Sequence, residues 1–293
     1  MRKVVVAGST FLWKKPAANE VLAEIQQHLK EELHTYLTSA ETMKLCEHLL
    51  VESEVIYGTV VEVLSEVDGW SQVIVLDQAS NNDARGYPGY ILTDCLAELP
   101  TGYAQAEQVA VIVRQTELIF SDRTRALPFG TVLGVIEEQS LHYVVASPEG
   151  SAKIAKTAVQ KTDMFEGEAL AKRMVALAEQ FIGLPYIWAG ISGCGFDCSG
   201  LMYSLHRVNG VLIPRDTPEQ AASGVHLGYA EALPGDLLLF AYEQGKGAVH
   251  HVGMYLGNGE MIHSHTPGSK VIKSTISGSK YEEELRVVAR YWC

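Results

Sequence analysis

One cysteine and two distant histidines are the residues of this chain best placed to do chemistry. Cys198 stands in Asp197-Cys198-Ser199-Gly200, between a glycine-rich run from Gly190 to Gly195 and the helically spaced Leu201, Met202 and Leu205. That spacing predicts that Cys198 opens a helix. A helix N-terminus supplies partial positive charge and free N–H groups, which stabilise a thiolate and the oxyanion of a tetrahedral intermediate beside it. By itself a lone cysteine reads as a small buried hydrophobe. His251 and His263 alter that reading, because they lie on two strand-like segments flanking Gly257-Asn258-Gly259, a hairpin pattern. One imidazole could take the thiol proton and return it to a leaving amine while the other orients it.

Whether the two histidines share a face depends on the turn, since side chains alternate along a strand. A two-residue Asn258-Gly259 turn would set residue 256 against 261 and put them on opposite faces. A three-residue loop would set 256 against 260 and 253 against 263, which puts them on one face. The Asn-Gly sequence permits either. By parity His250 points away from His251, so His250 and His265 read as bystanders. Zinc held by these histidines with Cys194 or Cys198 is disfavoured, because adjacent residues of a regular strand cannot converge on one ion and the chain has no Cys-x-x-Cys or His-Glu-x-x-His spacing. No cofactor or metal is expected.

The elements that must position these residues follow from periodicity. Glu168 to Ile182 carries Leu170, Met174, Leu177, Ala178 and Phe181 on one face and is stopped by Gly183 and Pro185, a helix. Leu233-Pro234-Gly235-Asp236 predicts a turn into a strand over Leu237 to Phe240, and Val249 to Leu256 and Met261 to His265 form the hairpin. Upstream, Val4 to Val6 predicts a strand and Ala17 to Thr38 an amphipathic helix. Some 130 residues then alternate short β-forming runs with turn residues. Within them Tyr57-Gly58-Thr59-Val60-Val61-Glu62-Val63-Leu64 is echoed by Phe129-Gly130-Thr131-Val132-Leu133-Gly134-Val135-Ile136. Two copies suggest two related small barrels of SH3-like type rather than a solenoid. The predicted architecture is multidomain: an SH3-like unit with an inserted helix over 1–100, a second over 101–163, and an α+β unit over 164–293.

The 293 residues carry 23 Lys+Arg and 35 Asp+Glu, a net charge of −12 with 47% apolar residues. That composition excludes disorder as the main state, and the lack of clustered basic residues argues against nucleic acid as a partner. No apolar run approaches the roughly 18 residues of a membrane span. The N-terminus lacks a signal-peptide core, so the chain reads as cytoplasmic. Five scattered cysteines suggest at least one free thiol. Residues 1–164 carry 13 basic and 22 acidic side chains, net −9, against 10 and 13 in the remainder, net −3.

Taken in chain order, Phe196-Asp197-Cys198-Ser199-Gly200-Leu201, Pro214-Arg215-Asp216-Thr217, Pro234-Gly235-Asp236-Leu237, His251-Val252-Gly253-Met254-Tyr255-Leu256-Gly257 and Met261-Ile262-His263 resemble the NlpC-type family of papain-like cysteine peptidases that cut bacterial cell-wall peptides. The resemblance covers about residues 165–293. It implies Cys198 as nucleophile, His251 as base and His263 as orienting residue, hence the same-face hairpin. With two SH3-like units in front, the chain resembles the branch that hydrolyses the γ-D-glutamyl to diamino acid bond of murein peptides bearing a free N-terminal L-Ala. A substrate ammonium needs a carboxylate, and Asp197 and Asp216 are the candidates. An anion at Asp197 should raise the pKa of the neighbouring thiol unless it points into the cleft. The resemblance also implies Tyr186, Ser199 and Thr217 in the cleft, although Thr217-Pro218-Glu219-Gln220 reads equally as an N-cap with a capping-box Gln. From the first SH3-like unit, Glu52 or Glu54 and Tyr87 or Tyr90 are the acidic and aromatic candidates. The implied partner is a small murein peptide bound by a monomer, with neither nucleic acid nor membrane involved. A wall-binding protein with an inactive papain-like domain, or an endopeptidase of intact wall, are the alternatives; the complete Cys-His-His set disfavours the first, and front-half acidity disfavours attachment to a polyanionic wall.

Overall fold

The two aromatic-Gly-Thr segments occupy equivalent turns in two sheets of identical strand order. The structure is a computed structural model that describes residues 1–16 and 39–293, so the helix expected over 17–38 lies outside the described residues. In the first sheet, β1 (Arg2–Val5), β2 (Ser9–Trp13), β3 (Val51–Ile56), β4 (Val60–Val67), β5 (Trp70–Val75), β6 (Tyr87–Leu92) and β7 (Leu96–Glu98) pair in the order β3-β2-β6-β5-β4-β1-β7. Helix α1 (Ser39–Glu47) leads into β3. In the second sheet, β8 (Gln108–Val111), β9 (Gln115–Ile119), β10 (Thr124–Pro128), β11 (Val132–Glu138), β12 (His142–Ser147), β13 (Gly150–Ala155) and β14 (Val159–Lys161) pair as β10-β9-β13-β12-β11-β8-β14, the same order strand for strand.

The repeat extends to single residues. Gly58 (φ 84°) and Gly130 (φ 94°) both take the left-handed region, where a Cβ is strained. Their N–H groups donate to Val5 O and Val111 O, and the next threonine N–H groups donate to Ile56 O and Pro128 O. Leu64 and Ile136 are each skipped in the pairing with the following strand, matching bulges that leave both side chains exposed. Where the pattern predicts small closed barrels, the strands pair as two open ladders, whose end strands do not pair with each other among the described residues. Instead of closing on β7, β3 packs against the C-terminal unit, with Val51 O accepting from Trp188 Nε1 at 3.2 Å and the Glu54 carboxylate accepting from Ile191 N–H at 2.7 Å. The aromatics of the repeat also cross boundaries. Tyr57 packs in the core of the second sheet, while Phe129 meets Phe181 and Phe196 of the C-terminal unit at ring separations of 4.6 and 6.0 Å.

In the C-terminal unit, β15 (Ile191–Ser192) and β16 (Gly195–Phe196) form a short ribbon. A six-stranded antiparallel sheet runs β17 (Val225–Leu227), β22 (Leu285–Arg290), β18 (Leu237–Ala241), β19 (Val249–Gly257), β20 (Glu260–Ser264), β21 (Val271–Thr275) in spatial order. Helix α2 (Gly167–Glu179) buries the predicted stripe of Leu170, Met174, Leu177 and Ala178 against α3 (Cys198–Arg207) and the sheet residues Val252, Met254 and Ile262. Every residue of α3 is buried, so its polar side chains need internal partners. Ser204 Oγ donates to Ile191 O at 2.6 Å, and Arg207 pairs with Asp77 at 2.6 Å. A Cβ on Gly200 would stand 2.0 Å from Gly190 O, which is why glycine follows Cys198-Ser199. The Leu233-Pro234-Gly235-Asp236 turn is pinned by a fully buried Asp236 that accepts from Leu233 N–H and from Arg290, each at 2.8 Å. That carboxylate ties the start of β18 to β22.

Candidate active site

Cys198 is the first residue of α3, as its sequence context predicts, and is 8% exposed. The residue before it caps the helix: Asp197 Oδ1 accepts from Gly200 N–H at 2.6 Å. Asp197 therefore does not offer an open carboxylate to the cleft. Arg215 Nη1 and Nη2 hold its two oxygens at 3.2 and 2.7 Å, and Ser199 Oγ donates to Oδ1 at 3.2 Å. Burial and the Asp197 charge push the Cys198 thiol up to about 11, while the Thr217 hydroxyl and the N–H groups of Ser199 and Val252 pull the other way. The resting group is a neutral thiol.

Within the motif Pro214-Arg215-Asp216-Thr217 it is Arg215, which the motif alone does not single out, that organises the site. It is 1% exposed, and besides Asp197 it donates to Ser199 Oγ at 3.0 Å and to Ser53 Oγ of β3 at 2.9 Å. Its guanidinium compensates the carboxylate beside the nucleophile and at the same time fastens α3 to the first β unit. The sequence signal was an arginine next to one of two isolated carboxylates, which is too common to stand out.

The hairpin resolves the question of face by a third route. Asn258 (φ 52°) and Gly259 (φ 75°) form a two-residue turn with Gly257 opposite Glu260, but Leu256 is bulged, so Tyr255 pairs with Met261 and Met254 with Ile262. The turn alone would separate the histidines, and the bulge restores the parity. His251 Nε2 lies 2.6 Å from His263 Nδ1, and His263 Nε2 lies 2.9 Å from Ser274 Oγ. Since Nε2 of His251 is engaged, its Nδ1 is the atom left to meet a thiol proton. Phe240 stacks on His251 at 6.0 Å and Tyr281 meets His263 edge-on at 5.4 Å, which holds both rings. Burial, then the neighbouring His263, keeps His251 well below its usual range, and burial brings His263 down to about 3. Both are neutral at pH 7.

A second bulge corrects the expectation for His250. Phe240 pairs with His251 but Ala241 with Val249, so His250 is the extra residue. Its ring stacks on Tyr242 at 4.0 Å, lies 6.4 Å from that of His251 at only 26°, and lines the cleft instead of pointing away. His265 stays to one side, its Nδ1 3.0 Å from the Tyr281 hydroxyl. Among the described residues, no group of three or more His, Cys, Asp and Glu side chains is arranged to hold a metal ion.

A cleft of about 460 Å³ opens over the thiol and brings together Tyr186, Asp197, Cys198, Ser199, Asp216 and Thr217 with Glu52 and Tyr87 of the first β unit. Helix α4 (Thr217–Ala222) begins at its rim. The N-cap reading of Thr217 does not hold: Asp216 occupies the cap position, the Thr217 hydroxyl lies 3.6 Å from Cys198 Sγ, and the Gln220 amide donates to Ser199 O and Pro214 O. Tyr87 donates to Asp216 Oδ2 at 2.6 Å, and Arg215 stands 3.8 Å from Oδ1. Burial raises the Asp216 carboxyl, with Arg215 and Tyr87 opposing. Glu52, 3.7 Å from Lys14, lines the same cleft. Of the alternative candidates, Glu54 is buried away from the cleft, accepting from Ser9, Ser192 and Ile191, and Tyr90 packs with Trp13 and Trp70. Trp188, which nothing in its local sequence singles out, also lines the cleft.

Residues 183–290 match the NlpC/P60 family. Over 257 residues the chain is 36% identical to the gamma-D-glutamyl-L-lysine dipeptidyl-peptidase of Bacillus subtilis, spanning 87% of this chain and 86% of that protein. A protein of the same name from Bacillus cereus is 31% identical over 87% of this chain and 79% of its own length. The crystal structure of an NlpC/P60 family protein from Bacillus cereus superposes on the whole chain with a TM-score of 0.92 at 27% identity, over 100% of both chains.

Proposed function

The chain belongs to the NlpC/P60 family of cysteine peptidases, and from that premise we propose that it is a dipeptidyl-peptidase that hydrolyses the γ-D-glutamyl to diamino acid bond of murein peptides with a free N-terminal L-Ala. The observation that carries this reading is the wall of the cleft. Beyond Cys198 the cleft meets Glu52, Tyr87 and Asp216, two carboxylates and a hydroxyl, and Asp197 is already neutralised by Arg215. An ammonium group is the natural complement of that end. In this reading Asp216 and Glu52 take the ammonium of L-Ala, Tyr87 fixes Asp216, and the first β unit limits the space upstream of the scissile bond to two residues.

His251 Nδ1 takes the Sγ proton as Cys198 attacks the γ-carbonyl carbon, and the backbone N–H groups at the start of α3 stabilise the developing oxyanion. The imidazolium returns that proton to the departing amine of the diamino acid, leaving a thioester. Water, deprotonated by His251, then attacks the thioester, and L-Ala-γ-D-Glu leaves with the thiol restored. A depressed histidine and a raised thiol do not prevent this, because the ion pair need form only as attack proceeds.

In the same reading the two β units are SH3-like, with boundaries near residues 100 and 163. The net charge of −9 on residues 1–164 favours a small cationic-ended peptide over anionic wall polymer, which supports peptide recycling over lysis of intact wall. The test is to incubate the protein with L-Ala-γ-D-Glu-L-Lys and its diaminopimelate counterpart and follow L-Ala-γ-D-Glu by mass spectrometry. Release by the wild type and loss of at least about a thousandfold in Cys198→Ala is the expected outcome. Undiminished turnover in Cys198→Ala, or none in the wild type, contradicts it.

A further inference from the structure

The outer nitrogen of His263 faces a hydroxyl that no motif singles out. Ser274 lies on β21, where it pairs with Met261 while Ile272 pairs with His263. Paired residues share a face, so Ser274 is the diagonal neighbour of His263, and its Oγ stands 2.9 Å from His263 Nε2. A half-buried strand serine needs no function. The tautomers give it one.

For His251 Nδ1 to accept the thiol proton, that nitrogen must be bare, so neutral His251 carries its proton on Nε2. At 2.6 Å that N–H must find an acceptor in His263 Nδ1, since two facing protons at this distance would repel. His263 is then protonated on Nε2 and needs an acceptor of its own, and Ser274 Oγ is the atom in reach. When His251 becomes an imidazolium it can donate to His263 only in this arrangement, so the demand on Ser274 is greatest in the charged state. The His265 ring stands edge-on to His263 at 5.0 Å with its Nδ1 on the Tyr281 hydroxyl, and the hydrogen bond of His263 Nε2 is with Ser274.

Resting on the catalytic reading above, we infer that Ser274 is a positioning residue that ends the Cys198-His251-His263 relay by accepting a hydrogen bond from His263 Nε2–H. Ser274→Ala should lower kcat roughly tenfold with KM unchanged, the loss expected when a hydrogen bond to a group sharing developing charge is removed. Ser274→Thr keeps the hydroxyl on a strand that tolerates threonine and should restore kcat to within about threefold. The readout independent of turnover is ¹⁵N-edited NMR of the imidazoles. Wild-type His263 should show the Nε2–H tautomer, with Nδ1–H appearing in Ser274→Ala. A wild-type His263 that carries its proton on Nδ1, or a Ser274→Ala variant whose kcat is within twofold of wild type, overturns the inference. Should Ser274→Ala fail to fold, the wild-type tautomer and the Thr variant still decide it. Because the spectrum needs no substrate, absence of peptide turnover would count against the proposed function and leave the tautomer result standing by itself.

Discussion

The two β units share a strand order, a glycine turn and a bulge, but among the described residues the cleft is lined by side chains from the first and not from the second. The repeat aligns Ser53 and Glu54 of β3 with Arg125 and Ala126 of β10. Ser53 receives Arg215, and Glu54 receives the N–H of Ile191, at the start of β15 and seven residues before the nucleophile. In the second unit Arg125 pairs with Glu149, in the turn between β12 and β13 of the same unit, and the Ala126 side chain has no polar group to offer. What the second unit gives the C-terminal unit is scaffolding: Phe129 in its core, Gly130 O for Arg207, and Gln160 for Asn209 and Arg173. Both units touch both ends of α3, since Asp77 of the first holds Arg207 and Arg114 and Phe129 of the second reach Gly193 and Phe196, but it is the first unit whose side chains hold Arg215 and line the cleft. At two aligned positions the side chains thus link the first unit, and not the second, to Arg215 and Ile191.

The largest expected effect comes from breaking the brace at Arg215. Arg215→Met leaves Asp197 buried without its counter-charge, so it should cost about 3–5 kcal/mol of stability and abolish turnover, measured by chemical denaturation and peptide assay. Arg125→Ala, the matched disruption in the second unit, removes a partly exposed pair and should cost under about 1 kcal/mol with activity intact. Equal effects would erase the contrast.

Next is Tyr87→Phe, which removes the hydroxyl from Asp216. KM for a free-amine tripeptide should rise about tenfold, corresponding to the roughly 1–2 kcal/mol of a charge-assisted hydrogen bond, with kcat within twofold. A fall in kcat at constant KM would move Tyr87 from binding into catalysis.

Acid should act through the C-terminal unit. Burial brings His263 down to about 3 in the folded chain against about 6.5 unfolded, so the unfolded state binds the extra proton between those values. Its contribution is therefore complete above about pH 6.5 and declines as pH falls toward 3, by up to about 1.4 kcal/mol per pH unit. A His263→Gln variant should show a shallower loss of stability over that window in denaturant titrations. An unchanged slope would mean that His263 protonates freely in the folded protein.

The smallest effects should separate the two repeat glycines. Gly58→Ala and Gly130→Ala share the strain of a positive φ, about 1 kcal/mol. A Cβ at 58 also meets the Tyr103 hydroxyl at 2.8 Å, whereas at 130 its nearest contact is 3.4 Å. Thermal melts should rank Gly58→Ala as the more damaging.

Much of this site can be read in the sequence because local rules govern it. The glycine loop and the helical spacing place Cys198 on α3, and the internal echo announces two sheets of one topology. The bulges are another matter. Leu256 and His250 are displaced by pairing with neighbouring strands, and nothing in Tyr255-Leu256-Gly257 or Val249-His250-His251 indicates a skipped residue, so arguments from alternation alone left the histidine faces open and misplaced His250. Partnership of buried charge was equally hidden. Asp197 reads as an available carboxylate until Arg215, distant in sequence, is seen to saturate it, and Glu52 is distinguished from Glu54 only by which side of β3 faces the cleft. The open ladders in place of barrels have the same origin, since the fate of the β3 edge is decided by the third unit.

If the first unit turns the cleft into a reader of a free ammonium, one comparison shows it most directly: kcat/KM for L-Ala-γ-D-Glu-L-Lys against the same tripeptide acetylated on its N-terminus. Loss of the charge facing Asp216 and Glu52, together with the added bulk, should reduce kcat/KM by about a hundredfold or more, the scale of a buried charged contact left unmade. Equal cleavage of the two peptides would contradict the account.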